Sequence, residues 1–77
     1  MNKILFFAHL KDAVGEEFIR MDVSGKTVSE VKDVLMKEYD LQKLDTAMAA
    51  INEEFASLED VIQPGDEIAF IPPVSGG

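Results

Sequence analysis

Apolar and polar residues alternate along the chain in a way that predicts one helix and five strands. Residues 28–39 carry apolar side chains at helical spacing, namely Val28, Val31, Val34, Leu35 and Tyr39. Just before them, Thr27 and Glu30 have the spacing of a capping box. In this motif the threonine hydroxyl accepts from the glutamate amide while the glutamate side chain reaches back. We therefore predict an amphipathic helix from Val28 to Tyr39.

Five stretches rich in strand-forming residues surround this helix. They are Lys3–His9, Glu17–Val23, Met48–Asn52, Phe55–Ser57 and Glu67–Ile71. A short connection over Lys11–Gly15, in which Gly15 ends a single helical turn or forms a turn, should join the first two strands as an antiparallel pair. Asn52-Glu53 should turn the chain between the third and fourth strands. Pro64-Gly65 predicts a type II turn before the last strand, because proline presets φ and glycine supplies a positive φ.

The resulting order, β-β-α-β-β-β, predicts an α+β domain in which one main helix packs on one face of a mixed sheet. This order is typical of the ubiquitin-like β-grasp fold. We expect residues 1–71 to form this domain and residues 72–77 to form a flexible tail that ends in Gly-Gly. A chain of 77 residues has room for one domain.

The first and last predicted strands carry more apolar residues than a sheet with one covered face requires. In the first predicted strand Ile4, Phe6 and Ala8 point one way and Leu5 and Phe7 the other; in the last, Ile68 and Phe70 oppose Ala69 and Ile71. The excess residues either pack under loops or form an exposed patch that binds a partner protein. We favour the patch, with Phe7 and Ile71 as its anchors.

The net charge of −8 disfavours nucleic acid and anionic membrane surfaces as partners. The seven basic residues are scattered along the sequence. An acidic surface serves solubility or steers the protein toward a basic partner. No stretch approaches the roughly 20 apolar residues that span a bilayer, and the start of the chain lacks the features of a signal peptide. We expect a cytoplasmic protein.

The residue inventory excludes most catalytic arrangements within this chain. It contains no cysteine and one histidine, His9, so a thiolate nucleophile and a thiolate metal site are excluded and a zinc site is disfavoured. His9 is most simply a surface or capping residue. The sequence also lacks a Gly-x-Ser-x-Gly elbow and a glycine-rich phosphate loop. We expect neither a metal nor a bound cofactor.

The chemistry we predict instead belongs to the tail. Gly76 and Gly77 have no β-carbon, so their backbone can enter a narrow channel in another protein, where the Gly77 carboxylate can be activated, for instance by adenylation. Pro72-Pro73 stiffens the base of the tail. Ser75 has no predicted base near it and is treated as a spacer. The plain alternative is a frayed end without a role.

Several segments carry a family resemblance that runs nearly from end to end. They are Ile4–Ala8, Val14-Gly15, Ala49–Asn52, Pro64–Phe70 and Pro72–Gly77. In these segments the chain resembles the small subunit of molybdopterin synthase, and the most specific part is the tail with two prolines, a short spacer and a terminal diglycine. The diglycine alone is shared with ubiquitin and with the sulfur carrier of the thiamine pathway.

The resemblance implies a sulfur carrier that is not an enzyme on its own. An activating enzyme would use ATP to adenylate Gly77 and convert it to a thiocarboxylate. The tail would then enter the large subunit of the synthase, where the sulfur passes to a pterin precursor. Gly76 and Gly77 would carry the chemistry, and the partner-binding residues would be Phe7, Ile71, Pro72, Pro73, Val74 and Ser75. Family members often have phenylalanine where this chain has Ile71.

Three alternatives remain open on the sequence. A carrier for thiamine thiazole synthesis would use the same tail chemistry, although Pro72-Pro73 argues against it. A ubiquitin-like modifier would join Gly77 to lysines through an isopeptide bond. A plain interaction module would carry an inert tail.

Overall fold

The computed structural model describes residues 1–39 and 41–72, without the side chains of residues 42 and 43. The elements in chain order are β1 (Asn2–Phe6), α1 (Ala8–Val14), β2 (Phe18–Met21), α2 (Val28–Tyr39), a 3-10 helix (Gln42–Thr46), β3 (Met48–Ile51), β4 (Glu54–Ala56) and β5 (Glu67–Ile71). The strands form one sheet in the order β2-β1-β5-β3-β4. The pair β1–β5 is parallel and the other three pairs are antiparallel. The predicted α+β arrangement with a mixed sheet is confirmed.

The start of the chain differs from the prediction. The first strand was predicted to run to His9, but β1 ends at Phe6, and α1 occupies the positions beyond Phe7. The chain changes direction at Ala8, whose φ of 52° lies in the left-handed region. The α1 helix then buries Leu10 in the core, which a continued strand would not do. Gly15 ends this helix with a φ of 87°, as its predicted role requires.

The main helix begins and ends where the sequence predicts. In the capping box the Thr27 amide donates to Glu30 Oε1 over 2.8 Å, and the Glu30 amide donates to Thr27 Oγ1 over 3.2 Å. Two further amides of the first turn, those of Val28 and Ser29, donate to the carbonyls of Asp60 and Leu58. The N-terminal end of α2 is therefore held both by its own side chains and by the segment that follows β4.

The core lies between α2 and the inner face of the sheet. The central strands contribute Ile4, Phe6, Ile68 and Phe70, and the rings of Phe6 and Phe70 stack with centroids 6.4 Å apart. The helix contributes Val28, Val31 and Leu35. Each such side chain stabilises the fold by about 1.5–3 kcal/mol when removed from water. The unpredicted 3-10 helix lies beside this core, where Leu41 and Leu44 are buried.

Two predicted turns set the register of the C-terminal strands. Asn52 and Glu53 connect β3 to β4 with φ values of 51° and 70°, the signs that a two-residue type I′ hairpin needs. Before β5, the Asp66 amide donates to the Gln63 carbonyl over 3.1 Å, and Gly65 has a φ of 82°. Both turns are confirmed. Strand β3 ends one residue earlier than predicted, and strand β4 both begins and ends one residue earlier.

Candidate functional site: the outer face of the sheet and the base of the tail

Apolar side chains form a row across the outer face of the sheet, the face opposite α2. Strand alternation and the observed register place one residue from each strand in line, in the order Phe18, Leu5, Ala69, Ala50 and Phe55. We call these five residues the apolar row. Its two ends lie on the edge strands β2 and β4, and the Phe55 side chain is 73% exposed. The outer face is therefore apolar from edge to edge.

The predicted anchors, Phe7 and Ile71, lie at one end of this face. Because β1 and β5 run parallel and pair Phe6 with Phe70, the next residue of each strand emerges at the same edge of the sheet. Phe7 is 45% exposed, whereas Ile71 is half-buried. Ile71 also lies opposite Met48 of β3, which is exposed. The structure thus brings the two predicted anchors to one end of the sheet and adds Met48 beside them.

The tail leaves from this same end. Strand β5 is the central strand, flanked by β1 and β3, and Pro72 follows it directly and is buried. The point from which the tail departs is therefore fixed by pairing on both sides. The other predicted tail residues, Pro73, Val74, Ser75, Gly76 and Gly77, lie outside the described residues.

Sequence reasoning did not single out Leu5, Met48 or Phe55 as site residues. Strand alternation alone puts Leu5 on the side of Phe7, whereas Met48 and Phe55 are assigned to the outer face by the pairing of β3 with β5 and β4. One signal was available for Phe55. The two-residue turn at Asn52-Glu53 fixes Phe55 opposite Ala50, and so on the outer face.

Basic side chains concentrate at the β2 edge of the outer face. Lys3 Nζ lies 4.4 Å from the centre of the Phe18 ring, and the Arg20 guanidinium carbon lies 5.9 Å from it. Nearby, Lys11 Nζ lies 3.3 Å from Glu17 Oε1 in an exposed ion pair. A groove of about 450 Å³ opens here, lined by Lys3, Leu5, Phe6, Phe7, Ala8, Lys11, Glu17 and Phe18. This region is called the basic groove below.

Acidic side chains concentrate at the opposite edge. Glu53 and Glu54 lie at the β3–β4 hairpin, and Glu59 and Asp60 follow β4; all four are exposed. The molecule therefore carries basic side chains at the β2 edge and acidic side chains around β4, at the hairpin and in the segment that follows. The sequence had indicated scattered basic residues, but the fold brings Lys3, Lys11 and Arg20 together.

A smaller groove of about 250 Å³ lies between α2 and the β3–β4 hairpin. The Lys32 side chain, which is only 6% exposed, lies against it and donates from Nζ to the carbonyls of Ala47, at 2.6 Å, and Asp45, at 3.4 Å. Burial lowers the pKa of Lys32, and the Asp45 carboxylate partly opposes that effect. Both carbonyls belong to the segment entering β3, so Lys32 ties that segment to α2.

The described residues offer little other chemistry. His9 lies on α1 and is exposed. Within residues 1–39 and 41–72, no three His, Asp or Glu side chains come together in a way that could hold a metal ion. The helices in this part of the chain are too short or too polar to cross a membrane.

Comparison with known proteins gives concordant results. A sequence model of the ThiS family matches residues 4–77. The chain is 35% identical to the molybdopterin synthase sulfur carrier subunit of Haemophilus influenzae, over 100% of both chains. It is 34% identical to small archaeal modifier protein 1 of Haloferax volcanii, over 92% of this chain and 94% of that protein.

Solved structures resemble the fold over nearly its whole length. The crystal structure of the Haloferax volcanii modifier superposes with a TM-score of 0.80 at 30% identity, covering 99% of this chain and 98% of the other. A chain from the complex of subunits 1 and 2 of the Helicobacter pylori molybdopterin-converting factor gives a TM-score of 0.65 at 28% identity, covering 99% and 97%. The predicted ubiquitin-like β-grasp fold is confirmed.

Proposed function

The chain belongs to the ThiS family, and from this premise we propose that it is the sulfur carrier subunit of a molybdopterin synthase. The observation that carries the proposal is the point at which the chain leaves the sheet. Pro72 follows the central strand β5 at one end of an outer face that is apolar across all five strands, and Gly76-Gly77 follow Pro72 in the sequence. The full-length similarity to the Haemophilus influenzae carrier subunit supports the same function.

In the proposed reaction the chain is a substrate of its partners and not a catalyst. The Gly77 carboxylate attacks the α-phosphorus of ATP on an activating enzyme, and pyrophosphate leaves. A hydrosulfide ion from the sulfur donor then attacks the activated carbonyl carbon, AMP leaves with the bonding electron pair, and the S–H proton passes to solvent. The product is a thiocarboxylate on Gly77, so the sulfur is carried without any cysteine in the chain. ATP belongs to the activating enzyme, and this chain needs no cofactor of its own.

The partner that accepts the sulfur is, in this proposal, the large subunit of the synthase. The Helicobacter pylori relative was solved as a complex of subunits 1 and 2, which supports such a partner. Phe7, Ile71 and Met48 would contact it beside the base of the tail, with Phe55 farther along the apolar row. Pro72, Pro73, Val74 and Ser75 would line the path into the partner.

The proposed division of labour is a rigid body of residues 1–71 and a tail of residues 72–77. A fully extended tail of this length reaches roughly 20 Å. That distance is sufficient to enter a buried active site while the apolar row stays on the partner's surface. Two consecutive prolines limit the conformations lost when the tail is ordered.

A second function, protein modification, is favoured by one observation. The archaeal relative of 34% identity is named a modifier protein. Modification would begin with the same adenylation of Gly77, but a lysine amine would then attack the activated carbonyl carbon and AMP would leave, so the Gly77 acyl group and not sulfur is transferred. Membership of the ThiS family is equally compatible with a carrier for thiamine thiazole synthesis.

The deciding experiment is intact-mass analysis after incubation with the cognate activating enzyme, ATP and a sulfur donor. We expect one oxygen to be replaced by one sulfur at Gly77, and the loaded protein to convert the pterin precursor when the large subunit is added. The control is Lys37→Gln, a substitution on the exposed side of α2 that should still load sulfur. If deletion of Gly77 leaves both loading and pterin conversion intact, the proposal is wrong. Appearance of lysine conjugates instead would favour the modifier function.

A further inference from the structure

The basic groove differs in charge from the rest of the molecule. Three of the seven basic residues of the chain, Lys3, Lys11 and Arg20, lie in or beside it, although the protein has a net charge of −8. Lys11 is neutralised by its ion pair with Glu17. Lys3 and Arg20 are held instead against the face of the Phe18 ring. Glu67 of β5 lies opposite Lys3 and offsets part of this charge, so the three basic side chains exceed the two carboxylates of Glu17 and Glu67 at this edge.

The groove is also apolar between its charges. Leu5, Phe7 and Phe18 line it, and Phe7 and Phe18 are exposed. Its volume of about 450 Å³ falls within the range of sites that enclose small ligands or single large side chains. The Phe18 ring is positioned by the cations above it, so one wall is already ordered before anything binds.

The groove is continuous with the surface proposed to dock a partner. Phe7 lies in both, and Leu5 and Phe18 belong to the apolar row. Strand β2 is moreover an edge strand of the sheet. A partner lying on the outer face would therefore reach the groove along the apolar row.

We propose that the basic groove binds an acidic polypeptide segment that carries one bulky apolar side chain, supplied by a protein that docks on the outer face. The apolar side chain enters between Phe7 and Phe18, and carboxylates next to it pair with Lys3 and Arg20, which are cross-strand neighbours at one end of the groove. This inference rests on the proposed function for the partner's role, but not for the chemistry of the groove. The acidic β4 edge would repel the same segment, so the partner could dock in only one orientation.

The first test measures affinity for the large subunit encoded in the same genome, by titration calorimetry at several salt concentrations. We expect Lys3→Gln to weaken binding about tenfold and to reduce its salt dependence. The matched control is Lys37→Gln, which removes the same charge from the exposed side of α2 and should change affinity less than about twofold. Equal effects of the two substitutions would overturn the inference.

The second test needs no partner protein. A capped pentapeptide of glutamate, aspartate, phenylalanine, aspartate and glutamate is titrated into the nitrogen-15-labelled protein. We expect amide shifts concentrated at Leu5, Phe7 and Phe18, and their loss in Lys3→Gln. A peptide with serine in place of phenylalanine, and one with basic residues in place of the acids, should each produce smaller shifts at these positions. Shifts elsewhere only, or equal shifts with the basic peptide, would contradict the proposal.

The two proposals fail in different ways. If the protein does not load sulfur but the acidic peptide binds in the groove, the proposed function is wrong and the groove's specificity stands. If sulfur loading succeeds while Lys3→Gln and Lys37→Gln behave alike and the peptide leaves the groove unperturbed, the function stands and the inference is wrong.

Discussion

Glu53 occupies a backbone conformation that suits a residue without a β-carbon. Its φ of 70° at the second position of the type I′ turn is one that glycine adopts without strain. We expect Glu53→Gly to raise the free energy of unfolding by about 0.5 kcal/mol, since relief of strain exceeds the added entropy of the unfolded chain. Urea denaturation measures the change.

The control for this prediction is the neighbouring Glu54→Gly. Glu54 lies in β4, where glycine should lower stability by roughly 0.5–1 kcal/mol. If both substitutions destabilise the protein, the turn does not carry the expected strain.

Asn2 is a buried polar residue whose side chain is fully used. Its Nδ2 donates to the carbonyls of Gln63 and Asp66, and its Oδ1 accepts from the Val23 amide and the Ser24 hydroxyl. These bonds join the first strand to the turn before the last one. Asn2→Ala should lower the free energy of unfolding by about 2–4 kcal/mol, because several buried groups lose their partners.

Thermal and urea unfolding would measure this loss. Ser24→Ala is the graded control, because it removes one of the four bonds and should cost about 1 kcal/mol. A loss at Asn2 no larger than that at Ser24 would mean that water replaces the missing bonds.

At the scale of elements, the α2 capping box makes the free energy of unfolding depend on pH. The hydrogen bonds that Glu30 accepts from the Thr27 amide and hydroxyl hold the pKa of its carboxyl below the usual 4.5. A carboxyl with a lowered pKa stabilises the folded state above that usual value, and its contribution is lost as the pH falls through the lowered pKa. Glu30→Gln removes this titration while keeping an acceptor.

We therefore expect wild-type protein to be more stable than Glu30→Gln near neutral pH, and the difference to shrink as the pH falls below 4.5. Urea denaturation of both proteins from about pH 7 to about pH 3 measures the trend. A difference that stays constant over this range would show that the charge of Glu30 contributes nothing to the cap.

Elements whose ends are marked by capping or helix- and strand-breaking residues were predictable from the sequence. Elements whose ends depend on tertiary contacts were not. Helix α2 and strand β5 were predicted to the residue, since a capping box begins the first and Pro72 ends the second. For helix α1 the sequence offered only a single helical turn ended by Gly15 and missed its start, because the strand-forming residues through Phe7 give no sign of the left-handed backbone at Ala8. The burial of Leu10 that favours this helix depends on the assembled core.

At the scale of the whole molecule, the candidate site was only partly predictable. Phe7 and Ile71 could be found because each follows an alternating strand pattern near a chain end. Met48 and Phe55 could be placed only once the register of β3 with β5 and β4 was known. The basic groove was hidden because the sequence predicts that the first two strands pair but not the register that sets Lys3 opposite Arg20.

The outer face makes a direct prediction about partner binding. Phe7→Ala should weaken association with the large subunit by about 2 kcal/mol, roughly thirtyfold, while leaving the fold intact because Phe7 is exposed. Val61→Ala is the control, since Val61 is similarly exposed and lies outside the apolar row. Titration calorimetry showing unchanged affinity for Phe7→Ala would remove Phe7 from the interface.

The parallel pairing of β1 with β5 also has a consequence for how the chain acquires its shape during synthesis. Residues 3–6 pair with residues 67–70, so the centre of the sheet stays open until nearly the whole chain has been made. A copy that stops short of β5 lacks the strand between β1 and β3 and cannot close its core. Folding thus selects against truncated chains, because every copy that reaches the native state contains β5, the strand from which the tail departs.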